Sequence, residues 1–186
     1  MDANVSNQME IPVGKRNTKV AVLFSGGFDS GAVYLKAPKV GVDYIFFEYG
    51  QIYMVKERQA AVNFLKRLDL HLNIISIPGH HDMEGRNFKF LDWCAEAGYT
   101  DVYIGTRCPL PWFDKYGDAN YFSLNCHASK LNIKVHFPIM LWSKKKVFEF
   151  LEKYVSLNEF YNCYANKDNY RTCDCSNCLE RKKYES

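Results

Sequence analysis

The sequence predicts an α/β fold: a doubly wound parallel sheet with helices on both faces. Between residues 20 and 105, apolar runs typical of buried strands alternate with amphipathic stretches of helical periodicity. Strands that alternate with helices are joined by crossover connections, which make the strands parallel. A length of 186 residues accommodates one such domain and a small appendage, and the 47% of hydrophobic residues can supply its core.

Four strands and three helices are predicted in this part of the chain. The predicted strands are 20–24, 44–47, 72–77 and 101–105, and the predicted helices are 31–36, 55–68 and 88–97. The second helix has one apolar face, made of Val55, Ala60, Ala61, Phe64, Leu65 and Leu68. Ligands bind beyond the carboxyl ends of parallel strands, so the connections that follow these strands are expected to line a site.

The rest of the chain is predicted to hold a long loop, a further helix and a cysteine-rich end. Residues 106–132 have the composition of a loop, and the apolar run 137–140 returns to the core. Ser143 is predicted to cap the N-terminus of a basic helix. The inward-facing side chains of that helix are predicted to be Val147, Phe150, Leu151 and Tyr154.

We divide the chain into a flexible lead-in (1–17), an α/β domain (18–155) and a cysteine region (156–186). The lead-in is polar and contains acidic residues, unlike a signal peptide or a basic transit peptide. No apolar run approaches the ~20 residues of a membrane span. With 24 Lys and Arg against 21 Asp and Glu, the charge is too balanced to favour nucleic acid. A cytoplasmic enzyme acting on a small molecule is expected.

The most informative motif is the loop after the first strand, Ser25-Gly26-Gly27-Phe28-Asp29-Ser30. Its glycines permit close approach of a ligand, and its hydroxyl and backbone N–H groups can converge on one anion. A helix that starts just after the loop adds its positive end. The loop is not of the Walker type, because no Gly-Lys-Ser/Thr closes it. It predicts a phosphate site, and an ordinary strand-to-helix turn is the alternative.

Four cysteines are concentrated near the end of the chain, in the pattern Cys163-x9-Cys173-x-Cys175-x2-Cys178. Four thiolates hold Zn²⁺ tetrahedrally in a closed structural site. In a chain expected to be cytoplasmic, such a cluster favours a metal over disulfides. Reduced cysteines without a ligand role and an iron–sulfur cluster are the alternatives.

Taken together, these motifs resemble the 7-cyano-7-deazaguanine synthases, queuosine-pathway enzymes of the ATP-pyrophosphatase (PP-loop) superfamily. The similarity extends from residue 20 to about 183. The matching segments are Phe24 to Ser30, Glu48-Tyr49-Gly50-Gln51, Gly85-Arg86-Asn87, Phe137-Pro138-Ile139-Met140-Leu141-Trp142-Ser143-Lys144, the four cysteines and Leu179-Glu180-Arg181. The resemblance implies a Rossmann-like fold similar to that of the adenine nucleotide alpha hydrolases, with a small C-terminal zinc-binding region.

The resemblance also implies the reaction. These enzymes convert 7-carboxy-7-deazaguanine and ammonia to 7-cyano-7-deazaguanine, using ATP and an acyl-adenylate intermediate. Mg²⁺ at the phosphates and a structural Zn²⁺ are the implied metals, and a homodimer is the family habit. Two related outcomes remain open for this chain, an altered substrate and a reaction that stops at the amide. A non-catalytic nucleotide-binding protein and a zinc-knuckle nucleic-acid binder are further alternatives.

The resemblance assigns roles to individual residues. The implied ATP-binding residues are Phe24, Ser25, Gly26, Gly27, Phe28, Asp29, Ser30, Gln51, Arg86 and Lys144. Among these, the catalytic ones are Asp29, Ser30 and Arg86, and the implied zinc ligands are Cys163, Cys173, Cys175 and Cys178. Each cleft assignment has a structural alternative: a helix cap for Asp29 and Gln51, a surface ion pair for Arg86, and a solvated helix face for Lys144.

Two segments depart from the family pattern. The family spaces its cysteines C-x8-C-x2-C-x2-C, so Cys173 is displaced here by one residue. After the glycine that ends the fourth strand, the family carries Glu-Thr-Asp-x-Ser-Gly-Tyr-Pro-Asp-Cys-Arg, whereas residues 106–118 differ. Asp114 and Asp118 are the acidic residues left there, and Trp112 and Phe113 can either stack on a flat base or pack under the loop. His80-His81-Asp82 is interpreted as a loop, with ligand contact as the alternative.

Overall fold

A computed structural model describes residues 18–78, 85–108, 118–161 and 163–186. Five parallel strands form one sheet in the order β3-β2-β1-β4-β5. The strands are β1 (Val20–Leu23), β2 (Val42–Glu48), β3 (Leu72–Ser76), β4 (Asp101–Tyr103) and β5 (Lys134–His136). The predicted α/β fold with a parallel sheet is therefore confirmed.

Six α-helices accompany the sheet in the described residues. They are α1 (Phe28–Lys36), α2 (Met54–Arg67), α3 (Arg86–Glu96), α4 (Asp118–Lys130), α5 (Lys144–Leu151) and α6 (Ser176–Glu185). Short 3₁₀ turns lie at Leu157–Glu159 and Tyr170–Thr172. No helix within these ranges is long and apolar enough to cross a membrane.

The sheet separates two apolar layers, as alternation along buried strands requires. Val22 of β1 packs toward α1, α2 and α5, in a layer that contains Phe28, Phe64 and Phe148. Ala21 and Leu23 point the other way, into a layer with residues of α3 and α4. Helices thus cover both faces, and β1 at the centre of the sheet is buried from either side. The loop that follows β1 therefore emerges from the centre of the sheet, between the two apolar layers.

Several predicted boundaries are wrong. Helix α1 begins at Phe28 instead of residue 31, so the second half of the predicted loop is the first helical turn. Residues 118–130 form α4 instead of a loop. Helix α4 mixes polar and aromatic residues without a continuous apolar stripe, and it buries Leu124 and Ala128, one turn apart, against the sheet. Tertiary packing stabilises a helix that periodicity did not indicate.

Some predicted core positions are also wrong, while one predicted cap is confirmed. Val55 and Leu68 are 61% and 45% exposed, because α2 buries the middle of its apolar face and leaves these end positions in solvent. Tyr154 is 63% exposed, since it lies beyond the end of α5. The Oγ of Ser143 accepts a hydrogen bond from the N–H of Lys146, which is the predicted cap of α5.

The residues outside the described ranges carry some of the predictions. The lead-in, the His80-His81-Asp82 trio, Trp112, Phe113 and Asp114 lie there. The Asp118 side chain is likewise outside what the structure describes.

Candidate active site

A cleft of about 370 Å³ opens at the carboxyl ends of the central strands. The loop after β1, the turn after β2, the start of α3 and the connection after β4 contribute to its wall. Its polar lining residues include Ser25, Asp29, Ser30, Tyr49, Gln51, Tyr53, Glu57, Arg86, Asn87, Thr106, Arg107 and Tyr164. The structure therefore brings together three segments that the sequence motifs had singled out separately.

The loop after β1 has the features of an anion site. Gly27 occupies the N-cap of α1 and provides no capping side chain, so the N–H groups of the first turn are available to a ligand. Hydrogen bonds fix the loop internally: the Ser30 Oγ donates to the Gly27 carbonyl over 2.9 Å and lies 3.2 Å from the Ser25 Oγ. These contacts hold both hydroxyls at the start of the helix, which is where a phosphate is stabilised.

Two glycines allow the surrounding elements to approach this loop. Gly26 has a φ of +77°, and a Cβ there would lie 2.5 Å from the Glu57 carbonyl oxygen of α2. A Cβ on Gly105, after β4, would lie 3.2 Å from the backbone carbon of Asp29. The backbone of the loop is consequently enclosed between α2 and the end of β4.

Asp29 is held by two cations from distant parts of the chain. The Lys144 Nζ of α5 donates to its Oδ2 over 3.1 Å, and the Arg107 Nε lies 2.8 Å from its Oδ1. The second contact is an ion pair whose geometry is too bent for a hydrogen bond, which leaves Oδ1 and Nε without an aligned partner. Lys144 is only 6% exposed, and burial together with the nearby Arg107 lowers its pKa, while Asp29 opposes that change.

These contacts decide two of the structural alternatives. Asp29 does not cap α1, because the N-cap is Gly27 and the Asp29 carboxylate faces Lys144 and Arg107. Lys144 is not part of a solvated helix face, in contrast to its neighbour Lys145, whose side chain is 75% exposed. Asp29, Lys144 and Arg107 therefore form a charge cluster at the start of α1.

Arg86 begins α3 on the opposite side of the cleft. Its Nη1 donates to the Tyr49 hydroxyl over 2.7 Å, and its guanidinium lies 5.6 Å from the Tyr49 ring centre. Arg86 is half-buried and lines the cleft, so its guanidinium is not on a fully solvated surface. Glu57 of α2 lies in the same wall, and burial raises its pKa to about 8 although Arg86 and Gln51 oppose the shift. Among the described residues that line the cleft, Arg86 and Arg107 are the cations and Asp29 and Glu57 are the carboxylates.

The side chain of Gln51 stabilises the turn after β2 by hydrogen bonds to the backbone. Its Oε1 accepts from the Tyr49 N–H over 3.0 Å, and its Nε2 donates to the Phe47 carbonyl over 3.3 Å. The N-cap of α2 is Tyr53, so Gln51 does not cap that helix. Gln51 holds Tyr49 where it can meet Arg86.

The four cysteines converge on one point. Their sulfur atoms all lie within 4.8 Å of one another, with Cys163 and Cys173 3.4 Å apart. A tetrahedral Zn–S site with bonds of about 2.3 Å requires separations of this order, so the cluster fits zinc. Cys173 and Cys175 both have extended backbone, and residues two apart on an extended chain point to the same side. The shortened spacing is therefore accommodated without loss of a ligand.

Comparison with known proteins decides the family. A family model described as "Queuosine biosynthesis protein QueC" matches residues 84–184, more than half of the chain. The chain belongs to the QueC family. The match starts just before α3 and includes Arg86, Arg107, Lys144 and the four cysteines, whereas the loop after β1 precedes it. Membership of the QueC family points to an ATP-dependent enzyme of queuosine biosynthesis that acts on a small molecule.

Solved structures with a related fold also match this QueC-family chain. A predicted subunit of a tRNA methyltransferase from Methanocaldococcus jannaschii is 22% identical, with a TM-score of 0.46, over 73% of this chain and 74% of that one. NMN synthetase from Francisella tularensis is 13% identical, with a TM-score of 0.35, over 89% and 82%. No curated protein matches significantly.

The sequence did not indicate four residues of the cleft wall. Arg107 lies two residues after Gly105, and its place after a central strand was the available signal. Glu57 lies outside the apolar face that the sequence predicts for α2. It is buried all the same, because the loop after β1 packs against this part of the helix. Tyr53 and Tyr164 carry no recognisable motif, and only the folded chain brings them to the cleft.

Proposed function

We propose that the protein is an ATP-dependent carbon–nitrogen ligase that converts 7-carboxy-7-deazaguanine and ammonia to 7-cyano-7-deazaguanine. The observation that carries this proposal is the cleft in which an uncapped helix N-terminus faces Arg86, with Lys144 and Arg107 behind it. A triphosphate requires such a combination of N–H donors and cations, because charge develops on pyrophosphate as it leaves.

The proposed reaction has two activations. A carboxylate oxygen attacks the α-phosphorus of ATP, pyrophosphate leaves, and ammonia displaces AMP from the acyl-adenylate to give the amide. A second ATP activates the amide oxygen in the same way, and loss of AMP and the N–H protons gives the nitrile. Ser25, Gly26, Gly27 and Ser30 are assigned to the departing pyrophosphate, and Arg86 is assigned to the phosphates from the facing wall.

Asp29 is assigned a positioning role. Its carboxylate already engages Lys144 and Arg107, so it orients these cations beneath the phosphates. This arrangement does not favour Asp29 as a Mg²⁺ ligand, since a divalent ion would have to displace both cations. We propose that Mg²⁺ enters on the phosphate oxygens of ATP, and that Zn²⁺ bound by the four cysteines stabilises the C-terminal region.

One observation supports an altered substrate or an amide product. In the segment after Gly105 the family carries acidic residues, whereas here Thr106 and Arg107 follow the glycine, and Arg107 places a positive charge beside Asp29. A changed charge at this edge of the cleft is a means of selecting a different carboxylate or of ending the reaction early.

The proposed function is tested by measuring pyrophosphate release from ATP with and without 7-carboxy-7-deazaguanine and ammonia, followed by mass analysis of the product. We expect sustained pyrophosphate release that requires both 7-carboxy-7-deazaguanine and ammonia, with the nitrile as the product. Release that ends at the amide supports the altered outcome. No release with this carboxylate would contradict the proposed substrate.

A further inference from the structure

The cysteine region contributes a side chain to the cleft. Tyr164, the residue after Cys163, lies in the cleft wall. Cys163 is one of the four cysteines whose sulfur atoms lie within 4.8 Å of one another. Tyr164 thus belongs to the segment that holds the metal ligands.

A continuous line of contacts connects Tyr164 with Arg86. The ring centre of Tyr164 lies 5.3 Å from that of Tyr53. Tyr53 and Tyr49 both line the cleft, and the Tyr49 hydroxyl accepts from the Arg86 Nη1 over 2.7 Å. Burial lowers the pKa of the Arg86 guanidinium, but the nearby Tyr49, Tyr53 and Tyr164 outweigh that effect and the pKa is raised. The position of Arg86 therefore depends on a stack of rings whose outer end is fixed by the cysteine cluster.

The same segment is attached to the loop after β1 from the other side. The Tyr161 N–H donates to the Gly26 carbonyl over 3.0 Å. The Phe160 ring packs on Phe28 and Phe64 with ring centres 5.9 and 5.1 Å away. Because the chain leading into Cys163 is fixed to the loop, a change at the cysteine cluster is transmitted to Tyr164 and is not absorbed by a free linker.

We propose that Tyr164 is a positioning residue through which the metal-loaded cysteine cluster holds Arg86 in place for a nucleoside triphosphate. A metal held by the four cysteines would fix Cys163 and with it the backbone of the next residue, Tyr164. The fixed ring supports Tyr53, which keeps Tyr49 against Arg86. This inference rests on the nucleotide site of the proposed function. Tyr164 is 41% exposed, so its removal is expected to leave the core intact.

The first test measures the affinity of the zinc-loaded protein for α,β-methylene-ATP with Mg²⁺ by calorimetry. We expect Tyr164→Ala to weaken binding about tenfold, the order of a lost aromatic contact. Tyr164→Phe keeps the ring and is expected to restore most of the affinity. Tyr154→Ala, which removes an exposed tyrosine far from the cleft wall, is the matched control and should bind as the unchanged protein does. Zinc content and the thermal midpoint should be the same in all four proteins.

The second test uses reciprocity, since a metal site that affects nucleotide binding must respond to the nucleotide. Protein loaded with Co²⁺ in place of zinc is titrated with α,β-methylene-ATP while its thiolate–cobalt absorption bands are recorded. We expect the bands to change in the unchanged protein and in Tyr154→Ala, and not in Tyr164→Ala. Equal affinities of Tyr164→Ala and the unchanged protein, or equal spectral responses, would overturn this inference alone. Failure of the unchanged protein to bind the analogue would overturn the nucleotide site as well.

Discussion

The loop after β1 and the connection after β4 lie side by side at the same edge of the sheet, yet they are built differently. The loop presents backbone N–H groups and two hydroxyls, all within six consecutive residues. The described part of the connection after β4 contributes Thr106 and the guanidinium of Arg107, which reaches across to Asp29. A local motif therefore builds the start of α1, whereas long-range pairing of side chains sets the charge around it. Substitution of the glycine that lets α2 approach the loop should lower the stability of the fold. Substitution of the long-range charged pairs should lower the affinity for the nucleotide.

The largest expected effect is that of Gly26→Ala. The new Cβ meets backbone atoms of Glu57 and Ala61 at 2.5 and 2.7 Å, and the residue must also keep a φ of +77°. Strain and overpacking together are expected to lower the free energy of unfolding by about 2–5 kcal/mol, measured by urea denaturation. Gly41→Ala is the control, because it has a similar φ with nothing within 4 Å, and it should cost about 1–2 kcal/mol. Equal losses in both variants would show that α2 does not enclose the loop.

Lys144→Met tests the buried charge behind the loop. Removing the cation leaves Asp29 paired with Arg107 alone and reduces the positive potential at the phosphates. We expect the affinity for α,β-methylene-ATP to fall by about 10²-fold, measured by calorimetry. Lys145→Met removes an exposed lysine from the same helix and should leave the affinity unchanged. If both variants lower the affinity only slightly and to the same extent, the charge of Lys144 contributes no more to nucleotide binding than that of the exposed Lys145.

Arg107→Gln is expected to have a smaller effect on the same measurement, about tenfold, because glutamine keeps a hydrogen-bond donor and Lys144 still pairs with Asp29. Arg67→Gln removes an exposed arginine that pairs with Glu159 and is the control. If Arg107→Gln leaves nucleotide affinity intact and alters only the choice of carboxylate, the connection after β4 serves the substrate and not the loop.

A separate expected effect, measured on stability and not on nucleotide affinity, is a pH dependence that comes from Glu57. Its pKa is about 8 in the folded protein, against 4.5 for an unperturbed group. Between these values the folded state holds a proton that the unfolded state has released, so stability falls as pH rises. We expect the unchanged protein to lose about 3–4 kcal/mol relative to Glu57→Gln between pH 5 and pH 8, by urea denaturation. If the difference in the free energy of unfolding between the two proteins stays constant across this range, the Glu57 carboxylate is ionised in the folded protein.

The same contrast explains what could be predicted from the sequence. The buried strands, the Ser25–Ser30 motif and the cysteine cluster depend on residues close in the chain, and the fold and the family they indicated are confirmed. Helix α4 was missed because its few buried residues depend on packing against β5 and α3. Arg107 and Tyr164 acquire their places only from tertiary contacts, and no local pattern encodes those. The individual roles assigned to Asp29, Ser30 and Arg86 stay predictions until they are tested.

The central claim, that the loop after β1 serves cleavage of ATP between its α- and β-phosphates, is tested most directly by ³¹P NMR of the products. Incubation with ATP, Mg²⁺, 7-carboxy-7-deazaguanine and ammonia should give AMP and pyrophosphate in equal amounts. Ser30→Ala should give neither, since it removes a hydroxyl from the loop. ADP and inorganic phosphate as the products, or pyrophosphate undiminished in Ser30→Ala, would contradict the account.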